Sequence, residues 1–453
     1  MTNQPRIVVR SGAGKDPVGK EFRFSNELVR SSKKSKIIRD YRTLSWNSFK
    51  ESQMPDGSNE SWRRSSLKEF NPGKYSLVYS PDIEDPGLSS GNQLPDGVAG
   101  KIFYGQEFSQ VTLLKMISDQ GIIFSDLMTA ENLYPEIVEK ILGKAIDPGV
   151  DKFAAAAGAL AQFGSVLYVP QNKKMGLPFI VTYERSGNGN AYFSHHLIYL
   201  EPYSSATLVF EFSSPSDNAD DLFHSGLIEI ILNEGANLTL VELQSWGEGS
   251  WNFEHAKARL FKDASIDWTI GSTGSKFSKV FSDLQLSGQG SSGKINGFYF
   301  ADQKQHLDHE TSQNHLAPNT TSDLLFKGVL TGNSRSVWRG MIYVSPEAVK
   351  TDGFQANRNL ILSEGARADS IPGLEILTDD VRCTHGATVG KIDQDQIFYL
   401  ESRGIPKDQA EKLIVEGFFE PVMERIPLVS IRERFREAIN QKMAGLDTKP
   451  ITH

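Results

Sequence analysis

The chain has 453 residues, with 48 Lys and Arg against 56 Asp and Glu and a formal net charge of −8. That balance argues against nucleic acid as the main partner, because a phosphate backbone is held by clustered positive charge. A single cysteine rules out an intramolecular disulfide and fits a reducing compartment. No run of 18 apolar residues offers a membrane span, and no apolar leader follows the first six residues. The expected location is therefore the cytoplasm, and the length suits one large domain or two to three smaller ones.

Residues 1–30 are polar with mixed charge, and residues 31–36 form a basic, serine-rich stretch that reads as solvated loop. Pro, Gly, Ser, Asn and Asp mark loops at 54–60 and 80–97. Helical patterns are expected at 110–117 and at 134–142, where Pro135 suits a first turn. A third helix is expected over 152–163, capped by Asp151 and ended by Gly164.

After Gly164 the apolar period changes from 3.6 to 2, starting at Val166-Leu167-Tyr168-Val169. Small residues then recur at Ala206, Ala236, Ala264, Gly293 and Ser322, in steps of 28 to 30. Two positions after each stands an apolar residue: Leu208, Leu238, Ile266, Ile295 and Leu324. A near-fixed period with strands and no helix between them predicts a β-helix, each coil stacked on the last. A β-sandwich with chance spacing is the alternative. The expected division is an N-terminal, partly helical region at 1–165, a β-helix core at 166–400 and a C-terminal helical region at 401–453.

Within the core, Gly288-Gln289-Gly290-Ser291-Ser292-Gly293-Lys294 fits two nucleotide-binding patterns. Ile295 stands where a phosphate loop needs Ser or Thr, and a strand pattern follows where a helix is required. The segment is expected to be a turn of the solenoid, so the chain has no ATPase of its own. His306, His309 and His315 lie close together, but no zinc spacing fits, and polar residues hydrogen-bonded within a coil are expected. His195, His196, His224 and His255 have no partner at useful spacing and are expected to be surface or satisfied residues. Asp217, Asp220 and Asp221 read as a solvated acidic loop, the six tryptophans as packing, and no nucleophile elbow is found.

The segment Asp379-Asp380-Val381-Arg382-Cys383-Thr384-His385-Gly386 carries the one cysteine. On a strand, Cys383 and His385 point the same way. A thiol and an imidazole form a soft pair suited to iron or zinc, but two ligands complete neither a tetrahedral site nor a cluster. If the pair binds metal, the other ligands come from another chain. The plainer alternative is a buried thiol beside a surface histidine. After Gly404 the helical period returns, with Ala410, Leu413, Ile414, Gly417 and Phe418 in one stripe, interruptions at Pro421 and Pro427, and a last helix from Ser430. Helices at both ends are expected to cap the solenoid or to dock partners.

Residues 383–390, Cys-Thr-His-Gly-Ala-Thr-Val-Gly, resemble the SufD-type members of the SufB/SufD family. So do residues 393–400, 402–405 and 416–419 downstream, and 321–330 and 355–362 upstream. Gly386-Ala387 after the histidine favours the D-type over the B-type. The resemblance is dense from about 302 to 419, thinner from 151 to 243 and faint before 151. It implies a right-handed parallel β-helix between helical ends and a non-catalytic scaffold role in iron–sulfur cluster assembly. It implies a SufB-like sister subunit and a SufC-like ATPase as partners, or a homodimer in isolation. A nascent iron–sulfur cluster would be shared with the sister, and ATP would act only through the ATPase. His385 is implied first, and Cys383 second, as the residues of cluster assembly or transfer and as metal ligands completed by a partner chain. Leu413, Ile414 and Phe418 lie in the implied ATPase-docking region. For a plant or algal source the compartment would be the plastid stroma. The competing class is a secreted-type β-helix carbohydrate lyase or binding module, disfavoured by the lack of a paired acidic motif.

Overall fold

The structure, a computed structural model, describes residues 21–27, 35–79, 94–106, 108–214, 221–426 and 429–447. The basic residues 31–34, the loop at 80–93, Asp217, Asp220 and Pro427 lie outside the described residues. In chain order the elements begin with α1 (Lys36–Glu51), β1 (Ser76–Leu77), β2 (Gly100–Tyr104), β3 (Ser109–Leu113), α2 (Lys115–Ser118) and β4 (Ile123–Asp126). There follow α3 (Leu127–Leu133), α4 (Pro135–Ile141), α5 (Lys152–Leu160), β5 (Ser165–Val169), β6 (Phe179–Glu184), β7 (Asn190–Leu200), β8 (Ser205–Ser213) and β9 (Phe223–Leu232). Next come β10 (Asn237–Ser245), β11 (Trp251–Leu260), β12 (Ser265–Ser272), β13 (Phe277–Leu286), β14 (Ser292–Ala301), β15 (His306–His315) and β16 (Thr321–Leu330). The chain ends with β17 (Arg335–Val344), β18 (Thr351–Ile361), β19 (Arg367–Ile376), β20 (Val381–Lys391), α6 (Gln394–Ser402), α7 (Lys407–Met423) and α8 (Val429–Asp447).

Strands β5 to β20 form a parallel β-solenoid of about eight turns. Odd strands from β19 back to β5 make sheet A, and even strands from β20 back to β6 make sheet B. Every coil gives one strand to each sheet and bonds only to the coils above and below it. At the first coil the ladder is closed by antiparallel pairs, β4 on β5 and β3 on β2.

Inward side chains stack in columns set by this register. One column in sheet B runs Ala206, Leu238, Ile266, Gly293, Ser322, Gly353, Cys383. The next runs Leu208, Leu240, Trp268, Ile295, Leu324, Gln355, His385. The period near 29 residues is thus real, but the expected alignment is two residues out at two coils. Ala236 and Ala264 lie in turns and accept the N–H groups of Ser265 and Ser292, at 2.8 and 2.9 Å, instead of stacking beneath Gly293. Unequal turn lengths produce the offset.

The nucleotide-like glycine motif is a turn between β13 and β14. Gly288 permits a close backbone approach, since a Cβ there would stand 2.0 Å from the Lys262 nitrogen. The expected helix at 110–117 is instead β3, with Val111 and Thr112 paired on β2, followed by the single turn α2. Asp151 caps α5 as expected, accepting from Phe153 and Ala154 at 2.8 Å, but α5 stops at Leu160. Pro421 sits inside α7 and does not end it.

The described helices cover outer faces, and none of them caps the last coil. Helix α1 presents Ile38, Tyr41, Ser45 and Phe49 to α5, where Gly158 admits the close approach of Tyr41 and Ser45. Together with Trp62 and Phe70 this layer packs on Phe193, Phe223, Trp251, Phe253 and Phe277 of sheet A. Helices α7 and α8 run along sheet B, placing Val415, Phe419, Val422, Phe435 and Ile439 against Val209, Val241, Phe298 and Val329.

Seven histidines outside the 383–390 segment hold positions inside the fold. His195, His196, His224 and His255, expected as surface or satisfied residues, are all buried. His195 Nε2 meets Glu229 at 2.9 Å, His196 Nδ1 meets Ser165 Oγ at 2.9 Å, and His224 lies between Ser194 and Asn252. His309 stacks on Tyr299, and His315 contacts Thr320 and Ser322 at 2.7 and 2.8 Å, as expected for polar residues within coils. Among the described residues no group of three or more metal-ligating side chains forms a site. Burial pushes His224 and His315 down to about 4, and His306 and His309 down to about 3.

Leu238 is fully buried, and Leu238→Glu places an unpaired carboxylate in its column. A loss on the order of several kcal/mol is expected, read as a large fall in the denaturant midpoint; an unchanged midpoint contradicts the inward column. His196, His224, His306, His309 and His315 also set a pH dependence. Their folded values lie below the unfolded value of about 6.5, so the unfolded chain takes up protons first. Their stabilisation is complete above pH 6.5 and is lost as pH falls toward 4. The buried Glu242–Glu254 pair, raised by burial, works in the opposite direction but is outnumbered. The denaturant midpoint is expected to drop as pH falls from 6.5 toward 4; a rise over that interval contradicts the assignment.

Candidate functional site at the open coil

The last coil consists of β19 and β20. β19 bonds only to β17 and β20 only to β18, so each leaves one row of backbone donors and acceptors without a strand partner among the described residues. The two edges differ chemically. β19 carries Pro372, opposite Gly340 in the register, and proline on an edge lacks the N–H that an added strand would use. Residues 381–391 of β20 contain no proline. Leu374, Ile376, Leu377 and Val389 are exposed apolar residues on this coil. The free end thus combines apolar surface with one strand fully able to pair.

Cys383 and His385 occupy the last positions of the two inward columns. They share a face of β20, at its outer rung. Cys383 is half-buried and packs with Val381 beside Ile342, Val344 and Ala348. Burial holds its thiol above the ordinary range, against a backbone hydrogen bond from Gly353 that favours the thiolate. The thiol is therefore protonated at neutral pH in the lone chain, and a metal that takes it as a ligand displaces that proton. His385 is exposed, and its ring makes no hydrogen bond among the described residues. A soft pair at an open edge can serve as half of a site whose other half comes from a second chain.

Beneath the pair the interior turns polar, which no sequence period announced. Gly353 separates the Cys383 thiol from the His315 ring: a Cβ on it would stand 3.2 Å from Sγ and 3.5 Å from His315 Nε2. Gln313 donates to Ser322 Oγ at 2.6 Å, and Ser322 in turn meets His315. Gln355 lies directly under His385, and Asn357 and Asn359 follow it inward on β18. Only the alternation of β18, read together with its place one coil before the end, could have revealed this floor.

The C-terminal stripe divides in the structure. Leu413 is exposed at 47%, whereas Ile414 and Phe418 are half-buried. The residues that face sheet B are Val415, Phe419 and Val422, one position along from the expected stripe. Phe398 at 72% and Tyr399 at 57% are exposed on α6, and Tyr399 lines a pocket with Ile414. A groove of about 430 Å³ is lined by Ile414, Gly417, Phe418, Asp393, Gln396 and Lys391. It joins α7 to the end of β20.

Residues 182–418 match the family described as SUF system FeS cluster assembly, SufBD core domain, and residues 98–181 match the SufBD protein N-terminal region. An iron-sulfur cluster assembly SufBD family protein of Mycobacterium leprae is 32% identical over 324 residues, covering 69% of this chain and 81% of that protein. The iron-sulfur cluster assembly protein SufD of Bacillus subtilis is 30% identical over 337 residues, covering 74% of this chain and 77% of that protein. A SufBD family protein of Staphylococcus aureus is 28% identical over 325 residues, covering 72% and 70%. No helix among the described residues is long and apolar enough to cross a membrane.

Because Cys383 is the one cysteine, its alkylation by iodoacetamide reports on this site alone. The rate is expected to rise with pH through a midpoint above the ordinary thiol value of about 8.5. A midpoint below 7 would contradict the buried, protonated thiol.

Proposed function

The chain belongs to the SufBD family of iron–sulfur cluster assembly proteins, and from that premise we propose that it is a non-catalytic scaffold whose open coil forms half of the site where a cluster is built or passed on. The observation that carries this reading is the placement of Cys383 and His385 on the unpaired outer strand of the solenoid. A sister subunit of the same fold adds through β20 and brings the remaining thiol ligands. The cluster is cargo shared across the joint. His385 is the principal ligand or sulfur-accepting group, since it is exposed and its nitrogens bond to none of the described residues. Cys383, partly packed under the rung, contributes second. In isolation the same edge supports a homodimer. Family membership displaces the carbohydrate-lyase alternative.

ATP acts through a partner. Leu413 on α7, with the half-buried Ile414 and Phe418, and exposed Phe398 and Tyr399 on α6 supply the apolar surface for a SufC-like ATPase. The groove below this patch includes Lys391 at the end of β20, so movement of α7 bears directly on the terminal strand. Force from ATP hydrolysis thereby reaches the joint between sister subunits. The expected compartment remains the cytoplasm, or the plastid stroma for a plastid-bearing source.

His385→Ala should leave folding and complex assembly unchanged and reduce the activity of an iron–sulfur enzyme in cells that depend on this system. Cys383→Ser should do so more weakly, and full activity with His385→Ala removes the functional claim. Removing α7 and α8 is a poor test of docking, because it strips cover from Val209, Val241 and Phe298. Leu413→Asp is cleaner: ATPase capture should fall at least tenfold, equivalent to about 1.4 kcal/mol, with no change in the thermal midpoint. Undiminished capture would move the docking surface elsewhere.

A further inference from the structure

The column beneath His385 is apolar at Leu208, Leu240, Trp268, Ile295 and Leu324, and then becomes Gln355 one rung below the histidine. Gln355 is fully buried. Its Nε2 donates to Gly373 O at 2.9 Å and to Gly340 O at 3.5 Å, which fixes the amide end of the carboxamide against sheet A. Its Oε1 is buried and accepts no hydrogen bond from the described residues. Gly340 makes the room this oxygen fills, since a Cβ there would stand 2.3 Å from it. A buried acceptor left without a donor is destabilising, and a donor that reaches it recovers that cost. His385 is the next residue in the column, about 4.8 Å away along the stack, and its ring has no hydrogen bond to the described residues of the lone chain.

We propose that Gln355 is a positioning residue for His385: when a second chain covers the open coil, the ring turns inward and donates Nδ1–H to Gln355 Oε1. This deepens the scaffold reading and rests on it. A histidine that offers one nitrogen to a metal or a sulfur species generally ties the other N–H to a fixed acceptor, which sets both tautomer and ring orientation. With Nδ1–H held from below, the Nε2 lone pair faces outward across the joint. Gln355 would touch neither cluster nor partner. It would decide which nitrogen is presented.

The test uses the chain labelled with ¹⁵N-histidine, bound to its unlabelled sister subunit, with His385→Ala identifying the His385 resonance. Chemical shifts distinguish Nδ1–H from Nε2–H. The expected result is an Nδ1–H tautomer at His385 in the complex. Gln355→Leu should shift it to predominantly Nε2–H, the form favoured by unconstrained histidine, and Gln355→Glu, which keeps an acceptor, should retain Nδ1–H. Delivery of iron–sulfur clusters should fall about tenfold with Gln355→Leu and recover in part with Gln355→Glu. An Nε2–H tautomer in the unsubstituted complex overturns the inference whether or not either variant folds. So does an Nδ1–H tautomer that Gln355→Leu leaves unchanged. Failure to form any complex with the sister overturns the scaffold reading instead, and takes this inference with it.

Discussion

In a parallel solenoid the backbone of each coil is satisfied only by the coil before it and the coil after it. The first coil here is closed by antiparallel strands that turn back on it. Among the described residues the last coil has no such closure, because the helices that follow β20 run back along the flank of sheet B. The core therefore ends on a row of unpaired donors and acceptors, an arrangement that soluble proteins otherwise avoid. Proline blunts one of the two final strands and leaves the other competent. On the scaffold reading proposed above, the competent strand is the one that carries the thiol and imidazole.

The columns give the open coil its chemistry. Parallel, in-register stacking means that a residue type chosen at one position meets the residue one period away, so a core column runs unbroken through the molecule. The two sheet B columns that end in Cys383 and His385 are largely apolar or small through their early members. The change begins a coil earlier, at Gln355, Asn357 and Asn359, all buried. Buried polar groups are costly unless paired. Directly under the terminal pair, Gln355 stands in the place that Leu324 holds one coil earlier, and Asn357 in the place of Phe326.

Much of this architecture is legible in the sequence. The change of period at Gly164, the spacing near 29 residues and the alternation through Cys383 and His385 specify a stack of parallel strands with those two residues on one face. Register fails at Ala236 and Ala264, because turns differ in length from coil to coil and small residues suit turns as well as tight columns. The strand at Ser109–Leu113 reads as helix because a short apolar run carries no decisive period. The buried histidines cannot be located from spacing, since their partners, such as Glu229 for His195 and Asn252 for His224, come from neighbouring coils. The residues of α7 that cover sheet B, Val415, Phe419 and Val422, are a second apolar row beside Leu413, Ile414 and Phe418, and one period cannot tell the two rows apart.

The central claim is that β20 is the joint to a second chain, and amide hydrogen exchange at residues 381–391 tests it most directly. In the lone chain, the amides on the unpaired edge of β20 should exchange rapidly, while those bonded to β18 are slow. On adding the sister subunit, the account predicts strong new protection along β20 and little change on β19 around Pro372. Complex formation that leaves β20 exchange unaltered, with protection arising on the outer faces or helices instead, would contradict it.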